Sequence, residues 1–168
     1  MNKFSKKNGL VASAILIILG NVFYITGLSP EMSPGGLVYY ALITVFMVRS
    51  VRDFRNENNE FVSLKEAFIT AWHTSVLAIF LFSMFQFLTE AFLYPSIMEV
   101  KEEIIIKALS GMEDKVEPEV FDSMTEMISG GAKFFALLTF FKILFEFIFA
   151  AFVALIIGLI MKKENEFV

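Results

Sequence analysis

The sequence predicts an all-α integral membrane protein with four transmembrane helices, and three observations predict it. Of the 168 residues, 57% are hydrophobic and only 19% are charged, against about 45–50% and about 25% in soluble domains. Stretches 8–30, 32–48, 67–89 and 147–161 contain no Lys, Arg, Asp or Glu. The charges that remain are sorted by sign into separate connecting segments. Composition also excludes several classes. There is no Cys and a single His, so disulfide scaffolds and the common zinc sites are out. Fourteen basic residues against 18 acidic ones, a net charge of −4, argue against a nucleic-acid partner. No cofactor is expected.

A bilayer core of about 30 Å needs about 20 helical residues. Helix one is placed at about 9–28. Lys3, Lys6 and Lys7 give it the basic start of a signal peptide, but its apolar part runs longer than a signal core and no small-x-small cleavage site follows. Retention as a membrane helix is the expectation. Pro30 and Pro34 bracket a tight turn, and helix two follows at about 34–51, with Arg49 and Arg52 snorkelling at its far end. A polar turn at 56–59 leads to Ser63-Leu64-Lys65-Glu66, a capping box in which Ser63 and Glu66 satisfy free amides of the first turn. Helix three is therefore placed at 64–94, where Pro95 disfavours continuation. It is longer than the hydrocarbon and must tilt or protrude. Helix four is placed at 132–161, interrupted by Lys142 and Glu146.

The segment 95–131 reads as two short amphipathic helices. Ile97, Val100, Ile104 and Ala108 recur at helical spacing up to Gly111, and Pro118 suits the first position of a second helix. Val120, Phe121, Met124, Met127 and Ile128 form its stripe, ended by Gly130-Gly131. These helices either lie on the bilayer surface and on each other, or present a docking face to a partner. Their acidity argues against anionic headgroups as that partner.

Orientation follows from the basic residues in the connections. The N-terminal tail, the 49–65 segment and the C-terminal tail carry Lys3, Lys6, Lys7, Arg49, Arg52, Arg55, Lys65, Lys162 and Lys163. The opposite side has only Lys101, Lys107, Lys115 and Lys133, all in segment 95–133, which carries nine acidic residues. Both termini are expected in the cytoplasm. One domain is expected, a multi-pass protein of the inner membrane with the lipid bilayer as its first partner.

Ionisable residues inside spans are costly and often functional. Lys142 and Glu146 lie four apart on one face of helix four, and Gln86 and Glu90 four apart on helix three. If 20 residues ending at Met161 cross the core, Lys142 falls at the outer boundary and Glu146 about 6 Å inside it. Counting from Ala67 puts Glu90 at the same boundary. A cluster of Glu90, Lys142, Glu146 and Gln86 is thus possible. It reads either as a salt-bridge network holding two helices together or as an ion or proton path. His73, turned away from this cluster, reads as a hydrogen-bonded packing residue. Asn21 is expected to bond to a neighbouring helix.

Packing signals are plainer. Ala150, Ala154 and Gly158 recur every four residues, and Ser13, Gly20 and Gly27 every seven. Such small-residue stripes let helices approach closely, inside one chain or in a homodimer. No hydrolase, metalloprotease or nucleotide-binding motif is present, so an enzyme is not expected.

The stretch Phe61-Val62-Ser63-Leu64-Lys65-Glu66-Ala67-Phe68 leads into helix three, and a Pro-containing helix end, an acidic helical pair and a final apolar helix with a Lys tail follow. In this order of features the chain resembles the bacterial membrane family known as domain of unknown function 4199, widespread in the Bacteroidota. The resemblance covers nearly the whole chain. It implies an inner-membrane location in such a bacterium and brings no activity and no catalytic residues. Three function classes follow: an accessory or scaffold subunit of an envelope complex, a small dimeric transporter or channel using the polar cluster, and, without motif support, a membrane-bound enzyme.

Overall fold

The computed structural model describes residues 1–26, 35–111 and 117–163, and apart from one isolated β-bridge their regular elements are all helical. Among these residues six α-helices run in order: α1 (Lys3–Thr26), α2 (Gly35–Glu57), α3 (Leu64–Leu88), α4 (Pro95–Ser110), α5 (Pro118–Ile128) and α6 (Ala132–Met161). One π-helical turn, Thr89–Leu93, lies between α3 and α4. Among the described residues, three segments are long and apolar enough to cross a membrane: Lys3–Phe23, Leu64–Leu93 and Lys133–Met161. The second half of α2 carries Arg49, Arg52 and Asp53. The turn around Pro30 and Pro34, Gly27 and residues 112–116 of the expected turn lie outside the described residues.

Local chemistry accounts for where each helix starts and stops. Helix one is longer at its start than the 9–28 the sequence suggests, because Asn2 caps it: the Ser5 amide donates to Asn2 Oδ1 at 2.8 Å. Lys3, Lys6 and Lys7 are therefore helical rather than a leading tail. Likewise α2 continues past residue 51 to Glu57. It stops where the Glu60 amide bonds the Arg55 carbonyl at 2.9 Å and Asn59 turns left-handed at φ 52°. This is the Schellman closure, with Asn in place of the usual Gly. The expected capping box opens α3: the Ser63 amide donates to Glu66 Oε2 at 3.0 Å and the Glu66 amide to Ser63 Oγ at 3.3 Å.

Pro95 cannot continue a helix, since it lacks an amide and its ring would meet the carbonyl four residues back. The chain first widens by a residue, the Tyr94 amide reaching Thr89 at 2.9 Å. Pro95 then occupies the first turn of α4, as Pro118 does in α5. Gly131, at φ 59°, makes the left-handed step into α6.

The chain divides into two units, 1–83 with 143–168 and 84–142. In the first, small residues set the helix contacts. Ala67 and Ala71 of α3 join Ala150, Ala154 and Ile157 of α6 in one buried cluster with Leu16, Ile43, Met47 and Val51. A Cβ on Gly158 would lie 3.1 Å from Leu64 and 3.3 Å from the Phe68 nitrogen, so α6 meets α3 almost backbone to backbone there. A Cβ on Gly9 would lie 3.0 Å from the Thr74 carbonyl, which marks a similar approach of α1 to α3. The second unit has its own core: Leu109, Ile128, Phe134 and Phe135 are buried, with Ile105, Ile106 and Phe121 packed beside them.

Candidate functional site

Glu90 stands in the π-helical turn and is only 7% exposed, next to a buried Thr89. Gln86, one turn earlier, donates its amide to Glu90 Oε1 at 3.1 Å, as their spacing requires. The same oxygen receives Lys101 Nζ at 2.9 Å. Lys101 reaches it because the break before Pro95 redirects the chain, and Lys101 then lies about two turns into α4. In the sequence Lys101 reads only as one of the basic residues of a connection, with nothing to pair it with Glu90. The only available signal was a cation six residues beyond a helix-breaking proline. A buried carboxylate that accepts from an ammonium and a side-chain amide is a charge-assisted polar site within an apolar helix.

Glu146 is 3% exposed on α6, where the Tyr39 hydroxyl of α2 donates to Oε2 at 3.2 Å. Tyr39 itself packs 5.3 Å from the Phe82 ring. Tyr39 was not foreseen either, although a phenol in an apolar stretch needs an acceptor. Of the expected four, Gln86, Glu90 and the exposed Lys142 belong to the second unit, and Glu146 belongs to the first.

A second polar group, unforeseen as a group, lies at the end of the first unit that holds the N-terminus. Asn2 Nδ2 donates to Thr70 Oγ1 at 2.8 Å, and Ser5 Oγ donates to the Thr70 carbonyl at 3.0 Å. Thr74 Oγ1 lies 2.8 Å from both the Ser50 hydroxyl and the Thr70 carbonyl. Asn8 Nδ2 donates to Asp53 at 3.2 Å. Small hydroxyls and amides thereby tie α1, α2 and α3 together. Lys3 pairs with Glu57, Lys163 pairs with Glu60 at 3.2 Å, and Val62 and Lys163 exchange two backbone bonds of 3.0 and 2.9 Å. The N-terminus, the α2–α3 connection and the C-terminal end of α6 therefore meet at one end of this unit.

Two expectations need correction. Asn21 donates to the Ile17 carbonyl in its own helix at 2.7 Å, because an amide in a helix can reach back one turn. His73 is held by ring packing: it stacks on Trp72 with centroids 5.8 Å apart, and its buried Nδ1 has no hydrogen-bond partner among the described residues. The described members of the small-residue stripes are buried. Ala150, Ala154 and Gly158 face α3, Ser13 is buried, and a Cβ on Gly20 would meet the Phe82 ring at 3.2 Å. Among the described residues no three His, Cys, Asp or Glu side chains converge as metal ligands.

The chain matches the family described as "Protein of unknown function (DUF4199)" over residues 7–163. No curated protein and no solved structure matches the chain.

Proposed function

The chain belongs to the DUF4199 family of proteins of unknown function, and from that premise we propose that it is an accessory or scaffold subunit of an envelope complex. In this reading it is a multi-pass protein of a bacterial inner membrane, with four spans and both termini in the cytoplasm. The arrangement of polar and apolar side chains carries the reading. The polar residues of the first unit turn inward to join helix to helix, while Ile18, Val45, Phe152 and Ile160 stand exposed on its surface. Such an inside-out pattern suits hydrocarbon and not water. It supports α2 as the fourth span, since α2 exposes Leu37 and Val45 and keeps its charges near one end.

The scaffold role rests on the second unit. Val100, Ile104, Val120 and Met127 remain exposed after α4 and α5 have formed their own core. Exposed apolar faces of this kind mark interaction surfaces. Purification from native membranes in mild detergent tests the role. A stoichiometric partner, lost on Val120→Lys with Met127→Lys, is expected; a chain that purifies alone at every detergent concentration rejects it.

The buried carboxylates favour a second reading, a small transporter or channel. Glu90 at a π-helical turn and Glu146 on α6 are ionisable groups within apolar helices, and such groups often line ion or proton paths. Proteoliposome flux that disappears in Glu90→Gln or Glu146→Gln would support it. Flux no different from empty vesicles, with either carboxylate intact, rejects it.

A further inference from the structure

Where α3 and α6 run side by side in the first unit, they leave an apolar groove of about 390 Å³, within the roughly 300–1,000 Å³ of small-molecule sites. Phe68 and Trp72 line it from α3, and Phe147, Ala151, Phe152 and Leu155 from α6. Trp72 stacks on Phe68 at 6.2 Å with 10° between planes, and its indole nitrogen lies 3.4 Å from the Phe147 carbonyl. The one polar atom of the lining side chains is thus occupied, and the groove offers an occupant hydrocarbon contacts alone.

Two cations mark one end of the groove. Lys65 precedes Phe68 by three residues and Trp72 by seven, so it lies on the same face of α3. Lys162 follows Leu155 by seven and Ala151 by eleven, and its amide still bonds the Gly158 carbonyl at 2.9 Å. It therefore continues the groove face of α6. The close contact of Gly158 with Leu64 and Phe68 brings these two helix ends together. Both lysines are exposed, and among the described residues neither has an ion-pair partner. Two neighbouring charged residues among those described are engaged elsewhere: Glu66 bonds Ser63, and Lys163 pairs with Glu60.

We propose that this groove holds an acyl chain of an anionic phospholipid whose phosphate is bound by Lys65 and Lys162. The inference rests on the reading that α3 and α6 cross the bilayer. The lipid belongs to the leaflet on the side of the termini. A hydrocarbon tail fills an all-apolar groove, and the phosphate supplies a negative charge to two ammonium groups that have no ion-pair partner among the described residues. A second copy of the chain fits less well. A two-fold axis along the membrane normal would place its Lys65 and Lys162 at the depth of these two, bringing like charges together.

Trp72 is the only tryptophan, so it reports on the groove directly. The full chain is reconstituted in phosphatidylcholine vesicles containing either dibrominated phosphatidylglycerol or dibrominated phosphatidylcholine at equal mole fraction. Quenching of Trp72 fluorescence should favour the anionic lipid roughly five- to tenfold in apparent affinity. Lys65→Gln with Lys162→Gln should bring the ratio close to one. Equal quenching in the wild type, or a preference that survives the double substitution, overturns the proposal. Trp72→Phe with Ile18→Trp, on the exposed face of α1, reports insertion independently of the groove. If that tryptophan is quenched by both lipids while Trp72 is quenched by neither, protein covers the groove and the proposal falls. If neither position is quenched, the spanning reading itself has failed and takes the proposal with it.

Discussion

Gly9 and Gly36 show how differently two glycines of the same chain are used. A Cβ at Gly9 meets the Thr74 carbonyl at 3.0 Å and Leu77 at 3.1 Å, whereas one at Gly36 meets nothing within 4 Å. Gly9→Val should therefore destabilise the protein by about 1–3 kcal/mol by forcing α1 off α3. Gly36→Ala should be neutral or stabilising by up to about 1 kcal/mol. Thermal unfolding in detergent measures both. At Glu90 the prediction is one of coupling. Lys101→Met leaves a buried carboxylate short of its ammonium and should cost more than Lys101→Met combined with Glu90→Gln. If the double variant is no more stable than Lys101→Met alone, losing Lys101 does not leave the Glu90 carboxylate destabilising.

Helix ends show which local signals could be read and which could not. The Ser63–Glu66 box and Pro118 at the first turn of α5 stand where the sequence suggests, because each depends on residues within one turn. The start of α1 was misplaced because Asn2 acts twice. It caps its own helix and donates to Thr70 of α3, so what holds the first turn in place is a residue 68 positions away. At the close of α2, Asn59 at φ 52° and Glu60 at φ 68° are both left-handed. Asn59→Gly should be neutral or slightly stabilising, and Asn59→Val should cost about 1–2 kcal/mol, since a β-branched residue resists that conformation. Equal melting temperatures for the two variants would remove the left-handed turn from the account.

At the scale of the whole molecule, the contacts among Lys3, Glu57, Glu60, Val62 and Lys163 join the N-terminus, the α2–α3 connection and the end of α6. Single cysteines replacing Lys3, Glu60 and Lys163 should therefore behave as one group toward a membrane-impermeant thiol reagent in intact cells. All three should label or all should be protected; a single dissenting position contradicts this arrangement. For the proposed cytoplasmic side, protection in all three is the expected result. The helical class, the apolar stretches and most helix ends are legible in the sequence, because each follows from composition or from neighbours within a turn. Tertiary structure alone decided the partners: Lys101 for Glu90, Tyr39 for Glu146, Thr70 for Asn2, and Leu64 and Phe68 against Gly158. Those pairings depend on how each helix is rotated and how closely its backbone approaches the next. Helical period tells which residues share a face, but not which face another helix will meet.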